Sequence, residues 1–250
     1  MLKEIKDLVI DLNIIMLELP ENILFKSDGY NTLYYVGYIK YFVKYNYVFK
    51  KYSAIGLSGA IFSLTLAVLN SVPYDNRMYF LKRYFERFLF HEITTNRWYN
   101  NTILFHIIIC LKEIQPNFDK IKDIFEYYES ISSIKSCKYT LKKHTFSTWN
   151  EFINHVIHYY KLQNNIIYNT IPLTYYNEDD LFEEYLWCST TDEKEHDQII
   201  SPSIPIRSLM YYYLCPSVSI IQEWMDKSYD NIKNLLDNYN HSIQPHYSIR

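Results

Sequence analysis

The stretch AIGLSGAIFSLTLAVL, residues 54–69, contains no charged side chain. Uncharged sequence continues on both sides of it, from Tyr52 to Tyr74, although this wider segment includes polar residues and Pro73. A membrane-spanning helix needs about 20 predominantly apolar residues, whereas a helix that is apolar on all sides is also typical of the centre of a large globular domain. We interpret residues 54–69 as a central buried helix and keep the membrane span as the alternative.

Helical periodicity dominates the sequence on either side of this segment. Apolar residues from Leu2 to Leu19 recur with a spacing of three to four, and Pro20 then ends the pattern. Thr148 and Glu151 form a capping box that predicts the start of a further helix. The helices that we predict are 2–19, 32–51, 54–72 with Ser53 as its cap, 75–93, 102–114, 117–134, 149–163, 177–187, 208–214 and 219–238.

This pattern predicts a mainly α fold of about ten helices with little or no β-sheet. No low-complexity linker or internal repeat divides the chain, so we expect a single domain over residues 1–250. The N-terminal helix 1–19 and the C-terminal tail 241–250 are predicted to act as arms that are exchanged between copies, since exchange of an element is a low-cost route to assembly.

The composition restricts the function. The chain has 27 Tyr but only four Gly in 250 residues, where average usage would give roughly 17 Gly. Glycine-rich phosphate-binding loops are therefore close to excluded. The net charge is −3, so nucleic acid is not an expected partner. The charged start MLKEIKDL is unlike a signal peptide, and we expect synthesis in the cytosol.

The cysteines show no metal-binding spacing. None of the four belongs to a CxxC pair, which argues against a structural zinc site. The sequence leaves two states open for them: buried thiols, or disulfides formed in an oxidising environment, with no indication of which residues would pair. The candidate disulfide residues are Cys110, Cys137, Cys188 and Cys215.

No catalytic or metal motif is complete. Glu151, His155 and His158 share one predicted helix face, a spacing that could contribute to a divalent-metal site, but we interpret them as an ordinary helix face. Asp179, Asp180 and Glu183 resemble the acidic DDxxE motif of terpene synthases in a single pentapeptide, without the second motif of that family. No GxSxG elbow occurs. We therefore expect no enzyme activity, no cofactor and no metal.

Clusters of tyrosine are the remaining feature of this sequence. Because adjacent residues on a helix point about 100° apart, one tyrosine of each helical pair is predicted to leave the core and join an interface. The clusters that we expect to form interfaces, or to ionise in alkali, are Tyr175-Tyr176 and Tyr211-Tyr212-Tyr213; further pairs are Tyr34-Tyr35, Tyr127-Tyr128 and Tyr159-Tyr160.

The chain resembles a viral occlusion-body matrix protein, a polyhedrin. The resemblance lies in its size, in a tyrosine-rich composition typical of an A/T-rich genome, and in the absence of a signal peptide and of a catalytic motif. The similarity is to the α-helical polyhedrins of nudiviruses and not to the β-rich baculovirus and cypovirus proteins. The resemblance implies a structural protein whose copies assemble into a crystal lattice around virions inside infected cells, in cytosol or nucleus, and dissolve at alkaline pH.

The expected partners are thus other copies of the chain and virions, with neither nucleic acid nor membrane. Two other classes of function stay open at this point. One is an α-helical viral or host-interaction protein. The other is a metal-dependent helical enzyme.

Overall fold

The computed structural model describes residues 20–27, 29–83, 114–133, 138–165, 185–188, 199–200 and 216–242. Within these ranges, strands alternate with helices along the chain. The strands are β1 Asn22–Lys26, β2 Lys51–Ile55, β3 Phe125–Ser133, β4 Lys138–His144, β5 Tyr185–Cys188 and β6 Ile199–Ile200. The α-helices are α1 Tyr35–Lys44, preceded by a 3-10 turn at Asn31–Tyr34, α2 Gly56–Ser71, α3 Ile114–Ile121, α4 Trp149–Asn165 and α5 Val218–Ser242; residues 74–83 are helical as well.

The described strands form one mixed sheet in the order β4-β3-β2-β1-β5-β6. Strand β1 lies in its interior and pairs in parallel with β2 on one side and with β5 on the other. Strand β3 continues the parallel arrangement beyond β2, and β4 adds an antiparallel edge strand to β3. The prediction of a mainly α fold with little or no β-sheet is therefore wrong, and the described part of the chain has an α/β architecture.

The short central strands explain this error. All five residues of β1 and the last four of β2 are buried, because a sheet whose two faces are both covered needs no polar side on its strands. Strand β2 does alternate polar Lys51 and Ser53 with apolar Tyr52 and Ala54, but five residues are too few for this alternation to stand out before the apolar run that follows. Ser53 accordingly lies in β2 and does not cap a helix, and the uncharged stretch 54–69 contains the end of that strand followed by α2.

The described residues form a separate hydrophobic cluster on each face of the sheet. On one face, Phe25, Tyr52 and Tyr127 pack in the main hydrophobic core, to which all five labelled helices contribute side chains. Helix α2 crosses this core, and 13 of its 16 residues are buried, so the prediction of a buried central helix is confirmed. The other face carries a smaller cluster of four buried residues, Leu24, Ile55, Tyr128 and Tyr185.

Two glycines permit close approach in the main core. A Cβ atom on Gly59 of α2 would lie 2.3 Å from the carbonyl oxygen of Phe25 in β1. A Cβ atom on Gly37 of α1 would lie 2.3 Å from the carbonyl oxygen of Met225 in α5. Backbone atoms cannot move aside as a flexible side chain can, so these positions fix how closely α2 approaches the sheet and α1 approaches α5.

Other predicted helices are also corrected. The segment 117–134 is helical only as far as Ile121, and β3 follows; the segment 177–187 ends inside β5. The helices predicted at 149–163 and 219–238 are confirmed as α4 and α5. The N-terminal arm 1–19 lies outside the described residues. Of the predicted non-helical tail 241–250, the first two residues belong to the end of α5, and residues 243–250 lie outside the described residues. No helix in the described part of the chain is long and apolar enough to span a membrane.

Candidate functional site

A buried carboxylate, that of Glu126, is the centre of a polar network on the face of the sheet opposite the main hydrophobic core. Its Oε2 atom accepts hydrogen bonds from the hydroxyls of Tyr128 and Tyr185, each at 2.9 Å, and from Ser53 at 3.3 Å. Its Oε1 atom accepts a hydrogen bond from Nζ of Lys143 at 2.6 Å and lies 3.5 Å from Nζ of Lys51. The side chain of Glu126 is only 8% exposed.

These contacts determine how the network titrates. Burial alone would raise the pKa of Glu126, but the hydrogen bonds from Lys143, Tyr185 and Tyr128 outweigh burial and lower the pKa to about 2. Burial, reinforced by the hydrogen bond to Glu126, raises the pKa of Tyr185 to about 12. Burial and the charge of Glu126 raise the pKa of Tyr128 well above its ordinary value.

The geometry of the network suits a role in stabilising the sheet. A general acid or base works best with a pKa near the operating pH, and Glu126 is far below it. Its partners come from strands β2, β3, β4 and β5, so one carboxylate connects four strands through charge-assisted hydrogen bonds.

A second notable position is the sharp turn from β2 into α2. Ile55 has extended backbone angles, and Gly56, which begins the helix, has a φ of 72°. The Oγ atom of Ser27, just after β1, accepts a hydrogen bond from the backbone N–H of Gly59 at 2.8 Å. In α/β-hydrolases a serine nucleophile occupies such a strand-to-helix turn; here the residue with positive φ is a glycine and brings no nucleophile.

Ser58 does not replace that nucleophile. It is 1% exposed, and its Oγ atom has no hydrogen-bond partner among the described residues. A serine nucleophile needs a base within hydrogen-bond reach, and the described part of the chain places none against Ser58.

A third group brings together Glu129 of β3, His144 of β4 and His155 of α4. Nε2 of His155 lies 2.5 Å from Oε1 of Glu129, and Nε2 of His144 lies 3.1 Å from Oε2 of the same carboxylate. The two imidazole ring centres are 4.1 Å apart. Burial lowers the pKa of His144, and the nearby His155 lowers it further, although the charge of Glu129 opposes both effects.

Neither Glu151 nor His158, which share a helix face with His155 in the sequence, belongs to this group. Glu151 faces the start of α4, where its Oε2 atom accepts the N–H of Ser147 at 2.8 Å while the Oγ1 of Thr148 accepts the N–H of Glu151 at 3.1 Å. Thr148 thus caps the helix as predicted, but the reciprocal bond of Glu151 goes to the N–H of Ser147 and not to that of Thr148. His158 is exposed and is not a member of the group around Glu129. Asp179, Asp180 and Glu183 lie outside the described residues.

The described tyrosine pairs lie in the core and not at its surface. Tyr34 and Tyr35 are 3% and 0% exposed, and Tyr127 and Tyr128 are 2% and 6% exposed. The second pair is buried on both sides because β3 is a strand that presents one tyrosine to each face of the sheet. The expectation that one member of each pair leaves the core is wrong for both. The clusters 175–176 and 211–213 lie outside the described residues.

Of the four cysteines, only Cys188 falls within the described ranges. It is a free thiol with no exposed surface, and burial raises its pKa well above the ordinary value. The other candidate disulfide residues, Cys110, Cys137 and Cys215, lie outside these ranges.

Sequence reasoning missed both acidic centres, although β3 carried a signal. In the segment FEYYE, residues 125–129, every second residue shares a face, which separates Glu126 and Tyr128 from Phe125, Tyr127 and Glu129. A carboxylate inside an aromatic strand must be paired to be buried, so this alternation predicts two sets of partners on opposite faces.

Comparison of the chain with known protein families, with curated proteins and with solved structures found no match.

Proposed function

We propose that this protein is a structural protein that acts by associating with further copies of itself. The observation that carries the proposal is an exposed apolar surface formed by Tyr45, Val48, Tyr74, Met78 and Tyr79, here called the tyrosine surface. These side chains are between 45% and 64% exposed. Several large apolar side chains exposed on two neighbouring segments are typical of protein–protein interaction sites, and tyrosine is enriched in such sites.

Hydrogen bonds hold the two segments of the tyrosine surface together. The hydroxyl of Tyr74 donates to the carbonyl oxygen of Lys44 at 2.8 Å, and Nη1 of Arg77 donates to Oδ1 of Asn46 at 2.5 Å. The ring of Tyr45 packs 4.5 Å, centre to centre, from that of the buried Tyr41. A surface fixed in this way loses little conformational entropy on binding, which favours association.

A second copy of the chain is the occupant that the charges favour. Exposed Lys44 and exposed Asp75 adjoin the tyrosine surface, so its border carries both signs. In a two-fold contact the same surface meets itself, and a border with both signs can then pair with its own copy. The net charge of −3 is small enough that copies do not strongly repel one another.

The resemblance to occlusion-body proteins extends the proposal: the assembly that we propose is a crystalline matrix around virions in infected cells. Electron microscopy of expressing cells tests this extension directly, since crystalline inclusions are expected in cells that make the parent chain.

Self-association through the tyrosine surface is tested by sedimentation velocity over a range of concentrations. Replacement of the most exposed tyrosine, Tyr79→Lys, is expected to weaken association at least tenfold, which corresponds to about 1.4 kcal/mol, because a central interface tyrosine contributes about 2 kcal/mol or more. Val218→Lys is the matched control, since Val218 is 57% exposed but lies at the start of α5, away from the tyrosine surface. A parent chain that stays monomeric at every concentration contradicts the proposal, as does equal association of the two variants.

A further inference from the structure

We propose that Glu129, His144 and His155 form a binding site for a divalent transition metal of the zinc class. Each residue offers one ligand atom, and these atoms all lie within 4.8 Å of one another. The proposal is independent of self-association, and its test measures metal binding and not the oligomeric state.

Strand register and helix packing bring the three residues together. In the β3–β4 ladder, His144 is directly opposite Tyr127, and Glu129 is two residues further along β3 on the same face. Glu129 and His144 are therefore diagonal neighbours on one face of an antiparallel pair, within reach for long side chains. Helix α4 packs on this face through Phe152 and Val156, which are fully buried, and His155 lies between them in sequence.

The donor set selects the kind of metal. Two imidazole nitrogens and one carboxylate oxygen are ligands that Zn²⁺ accepts, and two His with one Glu is a known three-residue set for zinc with a fourth position left to water. Calcium and magnesium prefer oxygen ligands alone. Both Nε2 atoms already point at the same carboxylate, so binding requires neutral imidazoles that carry their proton on Nδ1.

Neighbouring aromatic rings restrict the two imidazoles, and one side of the site is open to solvent, so that a metal ion can enter. The ring of Phe146 lies 5.3 Å from that of His155 and 6.3 Å from that of His144, and Tyr127 lies 5.9 Å from His155. These contacts restrict the two imidazoles, as a preorganised site requires. Glu129 is 9% exposed, whereas His144 and His155 are 14% and 23% exposed, so the site is open to solvent on the side of the imidazoles.

The alternative is that the two histidines only satisfy a buried carboxylate. Zinc titration of the full chain, in competition with a chromophoric chelator, separates these alternatives. The accessible cysteines are first alkylated under conditions that preserve the fold, because thiolates also bind zinc, whereas Cys188 has no exposed surface and is left unmodified. We expect one high-affinity zinc ion per chain, and a zinc-dependent rise of the melting temperature, because a metal that binds only the native state stabilises it.

His155→Asn and His144→Asn each remove the Nε2 atom and keep a nitrogen near the place of Nδ1. Loss of a supporting partner costs 10–100-fold in metal affinity, so loss of a direct ligand is expected to weaken zinc binding by at least about 100-fold. His158→Asn, three residues further along α4, is the matched control and should bind zinc like the parent. Circular dichroism of the metal-free variants checks that both histidine variants fold.

The proposal is overturned if the alkylated parent binds no zinc at millimolar concentration. It is also overturned if the His155→Asn and His144→Asn variants bind zinc as tightly as the parent. Loss of zinc binding in His158→Asn would overturn it as well, because the ligands would then lie on the exposed face of α4. Replacement of zinc by Co²⁺ gives an independent check, since the visible spectrum of the bound ion should show nitrogen and oxygen ligands without thiolate charge transfer.

Discussion

Replacement of the buried carboxylate, Glu126→Gln, should lower the free energy of unfolding at neutral pH, because the charge that the network stabilises is removed. In the native protein the pKa of Glu126 is about 2, against an ordinary value of 4.5. At roughly 1.4 kcal/mol per pKa unit, this difference corresponds to about 3 kcal/mol of stability at neutral pH. Glutamine has nearly the same shape but no charge, so the variant is expected to lose about that amount at pH 7.

The sign of the pH dependence follows from the direction of the shift. A carboxyl group whose pKa is lowered by folding stabilises the native state above its unfolded pKa, and the contribution is lost as pH falls through the folded pKa. The difference between parent and Glu126→Gln should therefore shrink from about 3 kcal/mol at pH 7 to near zero at about pH 2. Most of the decrease should occur below about pH 4.5, where the unfolded chain begins to bind the proton.

Urea unfolding, followed by circular dichroism at several pH values between 7 and 2, measures this difference. Other carboxyl groups titrate in both proteins, so their contributions cancel when the two free energies of unfolding are subtracted. Glu223→Gln is the matched control: Glu223 is 58% exposed and paired with Lys227, and such a pair contributes less than about 1 kcal/mol. A parent–variant difference that stays constant between pH 7 and 3 would refute the reasoning.

Three further predictions concern other described residues. Folding raises the pKa of Tyr185 to about 12, so this tyrosine stabilises the native state fully below pH 10 and loses that effect as pH rises toward 12. In the Tyr185→Phe variant, the free energy of unfolding in urea should therefore fall less steeply between pH 10 and 12. Gly56→Ala should cost about 1–2 kcal/mol for the left-handed backbone alone, plus contact with Ser27 Oγ, 2.7 Å from the new Cβ; a melting temperature equal to that of the parent would contradict this. Cys188, which has no exposed surface, should resist a thiol reagent in the native protein and react at once in urea, as peptide mass spectrometry would show.

How much of the fold the sequence reveals depends on the range of the interaction that forms each element. The start of α4 is set by Thr148 and Glu151, three residues apart, so a local pattern was enough to predict it. Strands β1 and β2 are each five residues long and are held by pairing with other strands, for which a single sequence carries no local mark. The uncharged residues 54–69 were predicted to form one helix because no charged residue or proline separates the end of β2 from the start of α2.

The candidate metal site depends on long-range geometry even more strongly. The sequence pattern offered His155 as a metal ligand together with Glu151 and His158, and we interpreted the three as an ordinary helix face; Glu151 in fact caps the helix. The actual partner of His155, Glu129, is 26 residues away and reaches it only because β3 and β4 pair in one register. A shift of that register by one residue would turn Glu129 to the other face of the sheet.

The position of β1 between β2 and β5 also has a consequence for synthesis. One edge of β1 can pair with β2 soon after both leave the ribosome, but the strand for its other edge begins at Tyr185, about 160 residues after Lys26. At about 5–20 residues per second, that edge waits roughly 8–30 s for its partner. During this interval the growing chain carries an open edge of a buried, apolar strand, which is a template for pairing with another chain. Neighbouring chains on one messenger RNA reach this stage together, so translation speed and chaperone supply between residues 26 and 185 should govern the yield of correctly folded protein.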